Sequence, residues 1–269
     1  MKRYPESVDG LEVFHDGAIL RVRLNRISRK NSLTDDMVYA LADLFDAVNT
    51  DESVRTVHLC ALGDDFCSGF DLGERSNAGR KPRISSIQRR MTGHVNRLIS
   101  SMLTTSTPIV CSVQGWAVGL GLNLVLASDF AVVAENAKLW APFVGFGFTP
   151  DSGASWMIPR LVGLARARRM LLLGEQISGA EAAAWGLVHE STVVTSLDLR
   201  SEALLSQLVE APTVAVGATK TLMYRAVQSD LTSQLELEGW AMEVSSRSED
   251  FKERIIASQE NRDPRYSGR

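Results

Sequence analysis

An α/β fold with a largely parallel, buried sheet is what this sequence predicts. The runs VRTVHLCAL, TPIVCSV and DFAVVA are short, β-branched and almost continuously apolar, the pattern of strands covered on both faces. Each is separated from the next by a helical or glycine-rich stretch, and from about Leu197 onward the chain reads as helices only. Alternation followed by an all-helical close implies one sheet-bearing core with an appended lobe, divided as residues 1–196 and 197–269.

The elements follow in order. LEVFH and AILRVRL flank Asp16-Gly17, a dipeptide suited to a tight turn, so Leu11 to Leu24 reads as a hairpin. Thr34 is placed to cap a helix in which Met37, Leu41, Leu44, Phe45 and Val48 recur at helical spacing, ending near Asn49. The basic run RKPRISSIQRR, residues 80–90, leads into a helix through about Leu103 and reads as a solvated face or as a contact for a phosphate-bearing ligand. A helix is expected to start at Ala154. The closing lobe holds helices through Glu210, over Val214 to Val227, Leu231 to Ser246 and Glu249 to Gln259. Leu235, Trp240, Ala241, Met242 and Val244 are too apolar for an outer helix, which points to packing on another subunit.

Bulk properties exclude several functions. A formal net charge of -3 gives no broad pull toward nucleic acid or anionic lipid. MKRYPESVDG lacks the apolar core of a signal peptide and no apolar run reaches the length of a membrane span, so a cytoplasmic protein is expected. Cys60, Cys67 and Cys111 show no CxxC spacing and the histidines are scattered singly, which suggests neither a metal site nor disulfides.

Two strands end in glycine-containing turns, Gly63 to Leu72 and Gly115 to Gly121, where ligands of open α/β sheets bind. Gly119-Leu120-Gly121 is not a dinucleotide fingerprint, because the third glycine would fall at Leu124; a P-loop ending and a GxSxG elbow are lacking too. What survives is an oxyanion hole built from two loops, with an acid nearby to move a proton. Between Lys138 and Arg160 the single ionisable side chain is Asp151, amid apolar and small residues. Desolvation would suit it to both take and give a proton, and capping the helix at Ala154 is the alternative.

Asn31-Ser32-Leu33, the FCSGFDL of Phe66 to Leu72, the GWAVGLGLNL of Gly115 to Leu124 with Ser128-Asp129, Pro150 to Gly153, Ala183 to Val188 and the ending Asn261 to Arg269 together resemble the crotonase family of enoyl-CoA hydratases and isomerases. The resemblance implies a spiral of ββα units, a C-terminal helical trimerisation lobe giving a homotrimer or dimer of trimers, and an acyl-CoA thioester as substrate. No cofactor is implied beyond the coenzyme A that the substrate carries. Carried onto this chain, the oxyanion donors are the backbone N–H groups of Phe70 and Leu120, with Ser68 and Gly119 beside them in the two turns. Trp116, Asn123 and Phe143 would line the acyl site, although core packing is the alternative for the aromatics, Phe146 and Phe148 included. Arg29 and Lys30 would meet the coenzyme's adenine and phosphates, or be ordinary surface charge, with Tyr266 reaching in from a neighbouring lobe. Asp71 is read as holding its turn, and Glu74 as a weaker rival acid.

The two glutamates of family hydratases are replaced by Asn123 and Phe143, which cannot transfer protons. Asp151 matches a third position where members that shift double bonds or rearrange ring epoxides carry their acid. One carboxylate suffices for a 1,3-proton shift, so the resemblance implies an isomerase, with an enoyl-CoA hydratase of fatty-acid breakdown or a non-catalytic acyl-CoA-binding protein as alternatives. Family dehalogenases pair such an aspartate with a histidine, at a position held here by Asn96; His94 would face nearly the opposite side of its helix.

Overall fold

The computed structural model describes residues 4, 8–71, 73, 88 and 91–269. Glu74 and, apart from Gln88, the basic run 80–90 lie outside the described residues. The hairpin forms from β1 (Leu11–Asp16) and β2 (Ile19–Leu24), with Asp16 paired to Ile19. The turn residues are therefore Gly17 and Ala18, one position later than the Asp16-Gly17 expected, and Gly17 takes the positive φ of 59° that the tight turn needs.

Helix α1 (Asp35–Val48) starts where Thr34 Oγ1 accepts the Met37 N–H, and buries Met37, Leu41, Leu44, Phe45 and Val48. The three apolar runs become β3 (Thr56–Ala61), β4 (Ile109–Val113) and β6 (Phe130–Ala134). With β9 (Glu190–Thr192) they make a sheet in the order β1-β2-β3-β4-β6-β9, parallel at every pairing except the first hairpin. Helix α2 (Asn96–Thr104), entered through a π-turn over Met91–Val95, packs on α1.

A second sheet, not anticipated from the sequence, combines β5 (Trp116–Val118), β7 (Lys138–Trp140) and β8 (Gln176–Ser178) in the order β5-β7-β8. Its inner face is Ala117, Leu139 and Ile177, all buried, while Trp116 and Lys138 lie on the other face. Two long strands thus hand the chain to a short strand of the second sheet and then to a helix: β4 to β5 to α3 (Leu120–Leu126), and β6 to β7 to α4 (Ala154–Leu172). This is the ββα succession of a crotonase-type spiral. Helix α4 is broken at Gly163, whose φ of 74° and ψ of 164° are not helical.

Helix α5 (Gly179–Trp185) opens on a capping box between Ser178 and Glu181. Four helices close the chain: α6 (Leu197–Glu210), α7 (Thr213–Ala226), α8 (Leu231–Ser245) and α9 (Glu249–Glu260), each within a residue or so of expectation. Of these, α6 lies on the large sheet, where Ser112 Oγ on β4 donates to Ser201 Oγ at 2.7 Å. In α8 no residue is buried; Leu231, Leu235, Trp240, Met242 and Val244 are all exposed. Among the described residues no helix is long and apolar enough to cross a membrane, and no group of three or more His, Cys, Asp or Glu is placed to hold a metal ion.

Candidate active site

Two loops from neighbouring strands are stitched together at the carboxyl end of the large sheet. After β3 the chain runs alongside β5: the Phe66 N–H donates to Gln114 O, the Cys67 N–H to Trp116 O, and the Val118 N–H to Cys67 O, all within 2.8–2.9 Å. Buried Asn31 holds the start of this loop, its Nδ2 donating to Leu62 O and Asp65 O and its Oδ1 accepting the Arg26 N–H. The close approach needs glycine at two places. A Cβ on Gly69 (φ 96°) would stand 2.8 Å from Val118 O and 3.8 Å from Leu120 N; one on Gly121 would stand 2.5 Å from Cys67 O.

The direction of the two expected donors follows from peptide planarity. Gly69 O accepts the Leu33 N–H at 2.8 Å, and in a trans peptide the Phe70 N–H points opposite to that carbonyl, away from Leu33 and toward the β5 side. Gly119 O accepts the Asn123 N–H at 3.0 Å, so the Leu120 N–H points out of the N-terminus of α3, where a helix leaves its amides without internal partners. The close approach of Gly69 to Leu120 thus brings the two amides to the same region, each from a different loop.

Asp151, half-buried, arrives from the other side. It precedes Ser152 and Gly153, both left-handed (φ 51° and 84°), and the residue at the N-cap of α4 is Gly153, not Asp151. The Asp151 carbonyl accepts the Ala154 N–H, and Ser152 Oγ donates to Asp151 Oδ1 at 2.8 Å. Asn123, fully buried in the first turn of α3, donates from Nδ2 to Asp151 O at 3.1 Å. One side chain therefore ties the helix that Leu120 opens to the loop that carries the acid. Among the described residues its Oδ1 has no hydrogen-bond partner, the kind of acceptor that water or a ligand donor completes.

The other expected site residues are distributed unevenly. Phe143 is buried at the head of a 3-10 turn, Phe143–Phe146, and meets Phe148 edge-on at 6.0 Å. Phe146 and Phe148 stack on each other at 6.1 Å but are 61% and 46% exposed, so core packing does not account for them within this chain. Trp116 stands apart on the second sheet, its ring beside Trp140 and under the Lys138 ammonium, 4.7 Å away. Arg29 and Lys30 are exposed on the turn that abuts the first loop, where the Ser68 N–H donates to Lys30 O and Ser68 Oγ to Arg29 O. Lys30 Nζ is 3.4 Å from Asp65 Oδ2. Tyr266 lies elsewhere: its carbonyl accepts from Arg55, at the amino end of β3, whereas the site loops leave the carboxyl end. Within the chain it is therefore remote from the site loops, contrary to its expected place beside the ligand.

Asp71 is held by an ion pair with Arg26, at 2.6 Å, and by the Gly73 N–H, in keeping with a turn-holding role. Asn96 is exposed, and His94 turns its ring onto Tyr39 of α1, so no histidine accompanies Asp151 from this helix. Nucleophilic alternatives fare badly. Burial pushes the Cys67 thiol up to about 12 and Cys111 well above its ordinary value. Ser112 Oγ is 2.6 Å from His58 Nε2, a pair with the look of nucleophile and base that sequence reading missed because its members lie on separate strands. Yet Nδ1 faces the Arg21 guanidinium rather than a carboxylate, and burial first, then that cation, push His58 down to about 4.

Comparison with known proteins bears on the family and the fold. The family model for "Enoyl-CoA hydratase/isomerase" matches residues 15–269. The chain is 32% identical to a 1,2-epoxyphenylacetyl-CoA isomerase of Escherichia coli, covering 93% of this chain and 95% of that protein. It is 30% identical to a crotonyl-CoA hydratase of Syntrophomonas wolfei, over 89% of this chain and 90% of that one. Among solved structures, an enoyl-CoA hydratase from Bacillus anthracis superposes with a TM-score of 0.90 at 27% identity, over 97% of this chain and 100% of that chain. A shared fold, matched over nearly the whole length and with the two-loop crossing in place, means that the chain belongs to the enoyl-CoA hydratase/isomerase, or crotonase, family of acyl-CoA enzymes.

Proposed function

We propose that the protein is an acyl-CoA isomerase that shifts a double bond, or isomerises a ring, through an enolate, with Asp151 as the proton shuttle. The observation that carries this reading is the Asn123 hydrogen bond to Asp151, which fixes the acid relative to the helix opened by Leu120. In the reaction the Asp151 carboxylate removes a proton from one carbon of the acyl group, and the bonding electrons move onto the thioester oxygen. The Phe70 and Leu120 N–H groups hold that oxygen, each such donor contributing roughly 3 kcal/mol to the transition state. The carboxyl then returns the same proton to another carbon of the dienolate, so no co-reactant is needed. Phe143 and Asn123 stand where the resemblance puts hydratase glutamates, which leaves no second acid to activate water there.

Arg29, Lys30 and Ser68 would receive the coenzyme at the rim of the first loop, with Trp116, Gly119 and Phe143 bounding the acyl end. Assembly as a homotrimer or dimer of trimers is supported by α8, which exposes Leu235, Trp240, Met242 and Val244 and has no buried residue, and would bring Tyr266 of one copy toward the site of another. Sedimentation at micromolar concentration should show the trimer or its dimer.

The test is purified protein with a 3-enoyl-CoA and a 2-enoyl-CoA, followed by the conjugated thioester chromophore. Interconversion lost in Asp151→Asn supports the reading, and interconversion that survives this change sinks it. A hydratase is the second reading, favoured by Asn123 Oδ1, which has no partner among the described residues and could seat a water; it would yield a 3-hydroxyacyl-CoA in the same assay. Tight binding without turnover of either compound, or of a cyclic acyl-CoA, would instead mark an acyl-CoA-binding protein.

A further inference from the structure

We infer that Arg26 is a positioning residue for the oxyanion hole, setting the direction of the Phe70 amide through a staple it makes around Leu33; the inference rests on the oxyanion reading above. The Phe70 N–H belongs to the peptide plane whose carbonyl is Gly69 O. That plane hangs on one side from a glycine with φ of 96°, a residue with no side chain to limit rotation. What orients it is Leu33, whose N–H donates to Gly69 O at 2.8 Å and whose carbonyl accepts the Asp71 N–H at 2.9 Å. These hydrogen bonds form a clip one residue wide, an isolated bridge with no further ladder on either side.

Arg26 closes that clip. Its Nη1 lies 2.6 Å from Asp71 Oδ2, 2.9 Å from Ser32 Oγ and 3.1 Å from Ser32 O. It therefore joins the residue before Leu33 to the residue after Phe70, on the edge away from the expected thioester. The ion pair is largely buried, with side-chain exposures of 18% and 11%, so solvent screens it little. The Asp71 carboxylate is fixed from the other side by the Gly73 N–H at 2.9 Å, and the Arg26 backbone by Asn31 Oδ1 at 2.7 Å. Both ends of the staple are thus anchored to parts of the chain outside the clip. A tilt of the Phe70 amide by a few tens of degrees would spoil the hydrogen bond to an enolate oxygen, because such bonds weaken steeply off axis.

A push–pull chromophore, 4-dimethylaminocinnamoyl-CoA, reads this directly: its absorption band moves to the red as the thioester carbonyl is polarised, and its coenzyme moiety binds independently of that. With the native protein a red shift on binding is expected. In Arg26→Met the shift should fall to less than half while the dissociation constant changes by no more than about threefold, and Arg26→Lys should recover part of it. Because Arg26→Met leaves Asp71 buried without its cation, the pair Arg26→Met/Asp71→Asn is measured beside it, and a melting curve confirms that each is folded. A full red shift in the folded double variant overturns the positioning role while leaving the oxyanion reading intact. Binding without any shift in the native protein overturns both.

Discussion

At the scale of single residues, the proposed chemistry rests on one acid, and the loop crossing on glycines where backbones touch. Asp151→Asn keeps the shape and the carbonyl that Asn123 holds, so it should bind acyl-CoA while losing roughly 10²–10⁴-fold in turnover, measured as kcat on the enoyl-CoA pair. Gly69→Ala should act on structure instead: a methyl 2.8 Å from Val118 O at φ 96° forces the two loops apart, costing about 1–3 kcal/mol in urea unfolding and the oxyanion hole with it. Both residues could be picked from sequence, Asp151 by its isolation and Gly69 by its motif. The Ser152 hydroxyl on Asp151, and the orphan acceptor of Asn123, could not, because each is a matter of which way a side chain turns.

Elements whose signal is a long apolar period were legible: α1, the four closing helices and the three buried strands sit where the pattern puts them. The second sheet was not. Its strands are three residues long, too short for a period to show, and in the sequence Trp116 to Val118 reads as part of a glycine turn. Their pairing is fixed by partners far off in the chain, Lys138 and Gln176 onward, so tertiary context decides them. The link between helices and core is another such case. Lys220 on α7 donates to Asp129 Oδ2 at 2.7 Å and to the carbonyls of Met102 and Thr107, and burial pushes Lys220 down and Asp129 up while their mutual attraction opposes both. Lys220→Met should therefore cost about 1.5–3 kcal/mol, since it removes the cation from a carboxylate that is only partly open to solvent, and Lys220→Met/Asp129→Asn should recover most of that in equilibrium unfolding.

Across the whole molecule, β2, β3, β4 and α6 are knit by a buried polar chain: Arg21 beside His58, His58 to Ser112, Ser112 to Ser201, and Ser201 to Leu197 O. His58 is held near 4 in the fold against an ordinary 6.5, so between those values the unfolded chain takes a proton that the folded one refuses. Its contribution is complete above about pH 6.5 and is lost as pH falls toward 4, by about 3 kcal/mol in all. His58→Gln should flatten the fall in unfolding free energy over that window. The crossing of the two site loops bears on how the protein acquires its activity. Cys67 pairs with Ala117 and Phe70 with Leu33, contacts between stretches distant in sequence, whereas the helices close locally. Distant pairings carry the loop-closure entropy that slows folding. On dilution from urea, ellipticity should return first and acyl-CoA binding afterwards, so that competence to bind is the late event of folding and a nick between the two loops abolishes it in a chain still rich in helix.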